Sequence, residues 1–249
     1  MPRTLFISDL HLCASRPRIN ETFFRFLKET ASTAEALFIL GDLFEYWIGD
    51  DDIDDGLNGQ VVKALAGLAE SGTTTFFMHG NRDFLIGERF ARAARLTLLP
   101  DPTLIDLYGS RTLLMHGDTL CTGDADYQRF REMVRNPQWQ SAFLTRPLEE
   151  RRAEVTDLRK KSELAKQTKS PEIMDVSAFA VENAFRKYTC PALIHGHTHR
   201  PARHTLTIDG RLCVRWVLPD WYETGAYLKA SGRDDLQIVE LVALGVDTR

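Results

Sequence analysis

Five short apolar runs in this chain each end abruptly in a cluster of Asp, His or Asn. They are TLFIS before Asp9-Leu10-His11, ALFIL before Gly41-Asp42, TTFFMHG before Asn81-Arg82-Asp83, RTLLMHG before Asp118, and ALIHGHTHRPA, which holds His195, His197 and His199. Runs of this length without polar alternation read as strands buried on both faces. Polar clusters at their carboxyl ends are the pattern of a layered α/β fold, whose sites lie beyond the strand ends. Helical periodicity fills the early gaps. NETFFRFLKETA repeats its phenylalanines on one face, and GQVVKALAGLAESG closes on Gly72 as a C-terminal cap. Later strands, such as LCVRWVL and LQIVELV, follow one another with few helices between. The expected fold is therefore a layered α/β architecture with mixed β-sheets flanked by helices.

One stretch breaks the pattern. Residues 123–176 hold no strand phrase and are punctuated by Pro137, Pro147 and Pro171. They read as a helical cap inserted into a core made of residues 1–122 and 177–249. Trp139, Phe143, Leu144 and Leu148 form an apolar set in the cap. They either pack it onto the core or roof a slot for apolar chains. Ser162, Lys166 and Lys169 are spaced to share a helical face. The acidic stretch GDDDIDDG at 49–56 lacks the ligand spacing of a calcium loop and reads as a solvated loop.

Composition narrows the partners. A net charge of −4 and a pI near 6.0 argue against a nucleic-acid binder. Cys13, Cys121, Cys190 and Cys213 are scattered, without metal-finger spacing, and read as reduced packing thiols of a cytosolic protein. The first residues, MPRTLFISDLHL, lack a secretory signal, and no run reaches a membrane span of about 18 apolar residues.

Oxygen and imidazole donors without thiolate suit divalent ions such as Mn²⁺, Fe²⁺ or Zn²⁺. Asp9 and His11, two apart on an extended segment, can reach one centre, and alternate histidines of 195–199 can share a face. Taken singly, each residue also has an ordinary structural role, as a cap, a turn or a buried histidine. His79 and His204 gain nothing from the constellation: His79 reads as structural and His204 as solvent-facing. Asp118 reads as a hydrogen-bonding support behind the clusters.

The five motifs in this order (DxH, GD, GNR, HG, GHxH) resemble the calcineurin-like metallophosphoesterase superfamily. The resemblance covers about residues 4–220. It implies two divalent metal ions, Mn²⁺ by family habit, bridged by Asp42. Asp9, His11, Asp42 and His199 would hold one, and Asp42, Asn81, His116 and His197 the other. Asp42, Asn81, Arg82 and His116 would form the catalytic set, with water activated between the metals as nucleophile. Arg82 replaces the histidine usual after this Asn. It cannot give up a proton at neutral pH, but it can clamp phosphate oxygens, which suits a diphosphate whose leaving group needs no proton.

Longer phrases, among them ILGDLFEYWIGDD, HGNRDFLIG and LIHGHTHRPA, resemble the UDP-2,3-diacylglucosamine diphosphatases of the Gram-negative lipid A pathway. Their activity implies attack on the uridine-side phosphorus, giving UMP and 2,3-diacylglucosamine 1-phosphate. Asn81, Arg82, Asp124, Ser162, Lys166, Lys169 and His197 would meet the nucleotide-sugar lipid substrate. The resemblance further implies a peripheral enzyme on the cytoplasmic face of the inner membrane. Arg146, Arg151, Arg152, Lys160 and Lys161 of the cap could face anionic lipid. A monomer is expected. Pro219, in LPDW, and Lys166 depart from the family wording. The alternatives are a dimetal nucleotide diphosphatase or phosphodiesterase on a soluble substrate, a scaffold on the same fold, and a histidine pH switch. His195, which precedes the Gly, would support the ligands from behind.

Overall fold

A computed structural model describes residues 3–54, 56–168 and 173–241, apart from the side chains at 161, 163 and 165–168. Eleven strands form two sheets among the described residues. The first runs β11 (Asp235–Glu240), β10 (Ala226–Gly232), β1 (Thr4–Ile7), β2 (Ala36–Leu40), β3 (Thr74–Met78), β4 (Thr97–Leu99). Strands β1 to β4 are parallel, and β10 lies antiparallel to both its neighbours. The second runs β5 (Thr103–Leu107), β6 (Ser110–Leu114), β7 (Ala192–His195), β9 (Arg211–Val217), β8 (Ala202–Ile208). Its β6, β7 and β9 are parallel, with antiparallel β5 and β8 at the edges.

Side-chain alternation explains the layers. In β1 and β2, Leu5, Ile7, Leu37 and Ile39 face the helices α1 (Pro17–Glu29), α2 (Gly56–Glu70) and α3 (Glu88–Ala94). Their neighbours Phe6, Phe38 and Leu40 turn inward against Leu114 and Ile194 of the other sheet. Leu113 and Leu193 face outward onto α7 (Ala178–Tyr188). The central strands are covered on both faces and can be apolar at every position, whereas the edge strands β5, β8 and β11 carry exposed residues at alternate positions. Phe6, Phe38 and Phe76 stack across neighbouring strands, with centroids 5.1 and 4.6 Å apart. Each such buried ring contributes about 1.5–3 kcal/mol over its exposed state.

Between β6 and β7 lie α4 (Ala125–Arg135), α5 (Pro137–Leu144) and α6 (Leu148–Thr168). Asp124 caps α4 by accepting from Tyr127 N, and Asn136 caps α5 by accepting from Gln138 N. Phe143 is buried and stacks on Trp139 at 5.0 Å, so α5 is tied into the main core.

The acidic stretch is solvated only in part: Asp51 and Asp54 are exposed, but Asp50 and Asp52 are engaged by the core and by α6. Asp50 accepts from Trp47 Nε1, Gly87 N and Phe90 N. Asp51 pairs with Arg151, and Asp52 with Arg152. Arg151, only 1% exposed, also donates to Ile48 O at 2.5 Å. Opposite charges thus dock α6 on the core, and Arg151 is removed from any lipid-facing set. Arg146, in the turn before α6, is paired with Glu150 and Glu154 of that helix.

Candidate active site

The segments following β1, β2, β3, β6 and β7 meet at the carboxyl ends of these strands. Asp9 N donates to Gly41 O, His11 N to Asp42 O, Gly196 N to His116 O, and Trp221 N to Asp9 O. Asp83 ties two of these loops together, accepting from Leu43 N at 2.7 Å and Gly80 N at 2.8 Å.

The segments after β1 and β7 are not extended, contrary to the strand reading. Asp9, His11, Asp42, His197 and His199 all have left-handed backbones, with φ of 56°, 51°, 55°, 71° and 54°. For non-glycine residues this conformation costs about 1–3 kcal/mol and marks positions that their surroundings over-determine. Sharp turns, rather than strand alternation, bring these side chains together. His195 stays behind at the end of β7, separated from the cluster.

Two groups of donor atoms result. Asp9, His11 and His199 offer ligand atoms all within 4.8 Å of one another. His199 Nε2 lies 3.4 Å from Asp9 Oδ1 and 3.5 Å from His11 Nε2. On the other side, Asn81 Oδ1 lies 3.1 Å from His116 Nε2 and 2.9 Å from His197 Nδ1. Asp42 stands between, with Oδ2 3.9 Å from His11 Nε2 and Oδ1 3.8 Å from His116 Nε2. Asp9 also comes within reach of the Asp42 and His116 pair.

The donor chemistry fits divalent cations. His116 Nδ1 donates to Leu40 O at 2.8 Å, which leaves Nε2, 3.1 Å from Asn81 Oδ1, as the ring atom that can ligate an ion once it gives up its proton. Asp9 Oδ2 accepts from Ser8 Oγ and His197 N, whereas the buried Asp9 Oδ1 accepts no hydrogen bond. Acceptors that face one another in a buried site call for positive charge between them.

The protein's own charges are strongly coupled here. Burial opposes ionisation of Asp9, but His199, His116 and His11 hold it well below the usual carboxylate range. Burial, reinforced by Asp9, raises Asp42. Burial pulls His116 down, but Asp42, Asp118 and Asp9 push it up to about 9. Burial and the nearby His116 lower His197 to about 3.

His195 is buried by a different set of contacts. Its Nδ1 donates to Gly196 O at 2.8 Å, and its Nε2 accepts from Arg215 at 3.0 Å. Burial and Arg215 lower it to about 4, so it stays neutral. His79 bonds Ile86 O through Nε2. Asp118 takes hydrogen bonds from Tyr127 Oη and Arg131 Nε.

A cavity of about 560 Å³ opens from this cluster. His11, Asp42, Asn81, Arg82, His197 and His199 line one end, with Asp124 and Ser162 also on the wall. Phe84, Phe130, Val134, Trp139, Phe143 and Val155 line the rest. Leu144 is 40% exposed and Leu148 half-buried, and neither lines the cavity. Lys169 and the side chain of Lys166 lie outside the described residues.

Three participants had escaped the sequence reading. Glu45 faces His11, Arg82 and Arg159, and burial raises its pKa against the pull of the two arginines. Arg159 lines the cavity from α6. The Tyr127 ring lies 5.8 Å from that of His197. Glu45 had a weak signal, three residues past Asp42 in GDLFE; Arg159 and Tyr127 had none beyond their place in the insertion.

The calcineurin-like phosphoesterase profile matches residues 2–201. A protein of Aromatoleum aromaticum named UDP-2,3-diacylglucosamine hydrolase is 58% identical, over 92% of this chain and 93% of its own length. Relatives of the same name from Cellvibrio japonicus and Escherichia coli are 51% and 49% identical. They are matched over 92% and 95% of this chain, and over 95% and 98% of their own lengths. The filled donor positions and these similarities agree: the chain belongs to the calcineurin-like phosphoesterase family and, within it, to the group of UDP-2,3-diacylglucosamine hydrolases.

Proposed function

We propose that this chain hydrolyses the diphosphate of UDP-2,3-diacylglucosamine to UMP and 2,3-diacylglucosamine 1-phosphate. The observation that carries this is the two-ended cavity. Phosphate-binding and metal-ligating groups line one end, and aromatic and aliphatic side chains of the inserted helices line the other. A soluble nucleotide has no use for the second end. In this proposal Asp9, His11, Asp42 and His199 hold one divalent ion, and Asp42, Asn81, His116 and His197 a second. Oxygen and imidazole donors suit Mn²⁺. Such ions, when bound, polarise phosphoryl oxygens and lower the pKa of a water.

The remaining work falls to the chain. Arg82 brings a permanent planar cation to the phosphoryl oxygens from beside Asn81. The leaving group is a phosphate anion and needs no proton, so arginine suffices where a proton donor is otherwise used. His197 and Asn81 border the path of the phosphate. Asp124 and Ser162 line the wall available to the sugar; Lys166 and Lys169, whose side chains lie outside the described residues, are assigned to the same substrate by the family resemblance. Trp139 and Phe143 shield acyl chains from water.

No helix among the described residues is long and apolar enough to cross a membrane. Access to a lipid substrate then requires a peripheral position, which we assign to the cytoplasmic face of the inner membrane, for a monomer whose inserted helices meet anionic lipid. Lys160, with its side chain 72% exposed and 3.8 Å from Asp157 Oδ1 on the same helix, would have to exchange that surface pair for lipid.

The test compares UMP release from UDP-2,3-diacylglucosamine and from UDP-N-acetylglucosamine in the presence of Mn²⁺. Turnover of the acylated substrate alone supports the proposal. Equal turnover of both returns the site to soluble nucleotides.

A further inference from the structure

Glu45 is a buried carboxylate that the chemistry above does not use. It follows β2 in the loop that carries Asp42, and its N–H donates to Leu12 O at 3.0 Å. The residue is 8% exposed. Its Oε1 pairs with Arg159 of α6 and lies 4.0 Å from Arg82 Nη1. Its Oε2 lies 3.6 Å from His11 Nδ1. Glu45, Arg82 and Arg159 line the same cavity end as Asp42 and Asn81. Two cations, one from the core and one from the inserted helix, therefore converge on a single carboxylate beside the metal-ligand cluster.

A phosphate arriving beside Arg82 offers the same partners a similar negative charge and more acceptor oxygens. It must compete with Glu45 for the two guanidinium groups. We propose that Glu45 is a positioning residue with a second effect. It holds Arg82 and Arg159 toward the phosphate seat before substrate arrives, and by competing for them it limits how tightly a phosphate product is retained. The identity of that phosphate rests on the diphosphatase proposal; the competition itself does not.

Glu45→Gln keeps the shape and removes the competing charge. Inorganic phosphate is titrated calorimetrically into the wild type and Glu45→Gln, both metal-free and loaded with Mn²⁺. One unit charge a few ångströms away, at the effective dielectric of such a site and partly screened, corresponds to about tenfold tighter phosphate binding by the variant. With the acylated substrate, kcat and KM should fall together, and inhibition by UMP or by the sugar phosphate should strengthen.

Unchanged or weaker phosphate binding by folded Glu45→Gln overturns the proposal, leaving Glu45 as a tie between α6 and the core. So does a lack of measurable phosphate binding by both proteins. If Glu45→Gln does not fold, Glu45→Asp, which draws the charge back by one methylene, should bind phosphate more tightly than the wild type; no gain overturns the proposal equally. If the wild type leaves UDP-2,3-diacylglucosamine intact, the functional proposal fails, while the phosphate titration still decides the role of Glu45.

Discussion

His199 Nε2 stands 3.4 Å from Asp9 Oδ1, although the two residues follow strands far apart in the sequence, β7 and β1. Both hold left-handed backbones, and Asp9 Oδ2 is already occupied by Ser8 and by the His197 N–H. The free lone pairs of Asp9 Oδ1 and the ring of His199 are thus aimed at one point. Asp9→Ala and His199→Ala should each lower bound Mn²⁺ by about one ion per chain and abolish turnover, since a dimetal site works as a pair. Elemental analysis of the purified variants reads this directly. His195→Ala should keep its metal but lose about 1–3 kcal/mol of stability, because Arg215 and Gly196 O lose their buried partner.

Gly80 gives a test of backbone approach. A Cβ there would lie 2.1 Å from Asp42 Oδ1 and 2.3 Å from Asp42 N. Asp42 N is backbone and cannot yield as a flexible side chain would, and Asp42 Oδ1 belongs to the carboxylate proposed to serve both ions. Gly80→Ala should displace Asp42 and cut kcat by more than about tenfold, by the sensitivity of catalysis to small misplacements. Circular dichroism should show the two sheets intact. Wild-type turnover would mean that Asp42 does not need its present position.

Trp139 and Phe143 separate the two possible uses of the apolar end. Phe143 is 4% exposed and Trp139 lies half-buried between it and Phe84. Phe143→Ala should cost about 3–5 kcal/mol as a core truncation. Trp139→Ala should cost less stability but raise KM for the acylated substrate, with cleavage of a small phosphodiester such as bis(4-nitrophenyl) phosphate little altered. Equal losses on both substrates would assign Trp139 to packing alone.

The layers were legible because the central strands are covered on both faces. Leu5, Phe6 and Ile7 are apolar in succession, as are Leu37, Phe38, Ile39 and Leu40, and this cannot be mistaken for an edge or a loop. The polar residues of the site were legible for the same reason, since each cluster ends such a run. How they converge was not. Asp9, His11, Asp42, His197 and His199 bend into left-handed conformations that Asp and His tolerate better than most residues but do not adopt by default, and contacts between loops select them. Long-range charge pairs were hidden too. Arg151 looked like surface charge on a helix, yet it is buried against Ile48 O and Asp51. Glu45 and Arg159 meet across a large separation in sequence that no spacing rule reaches.

Asp118 makes the stability of the site depend on pH. Its side chain is fully buried and accepts from Tyr127 Oη at 2.8 Å and Arg131 Nε at 2.7 Å. Burial alone would push its carboxyl up, but His116, His197 and Arg131 outweigh this and hold it well below the usual carboxylate range. A carboxyl depressed on folding binds fewer protons in the folded state than in the unfolded one. Its contribution to stability is therefore complete above the unfolded value of about 3.9 and is lost as pH falls toward the folded value. Asp118→Asn should destabilise the metal-free protein by about 3 kcal/mol at pH 7, as expected for a broken buried ion pair. The gap to the wild type should narrow steadily below about pH 4. Urea unfolding of both proteins at pH 7 and pH 3 measures it; an equal gap at the two values would show that the Asp118 charge contributes nothing.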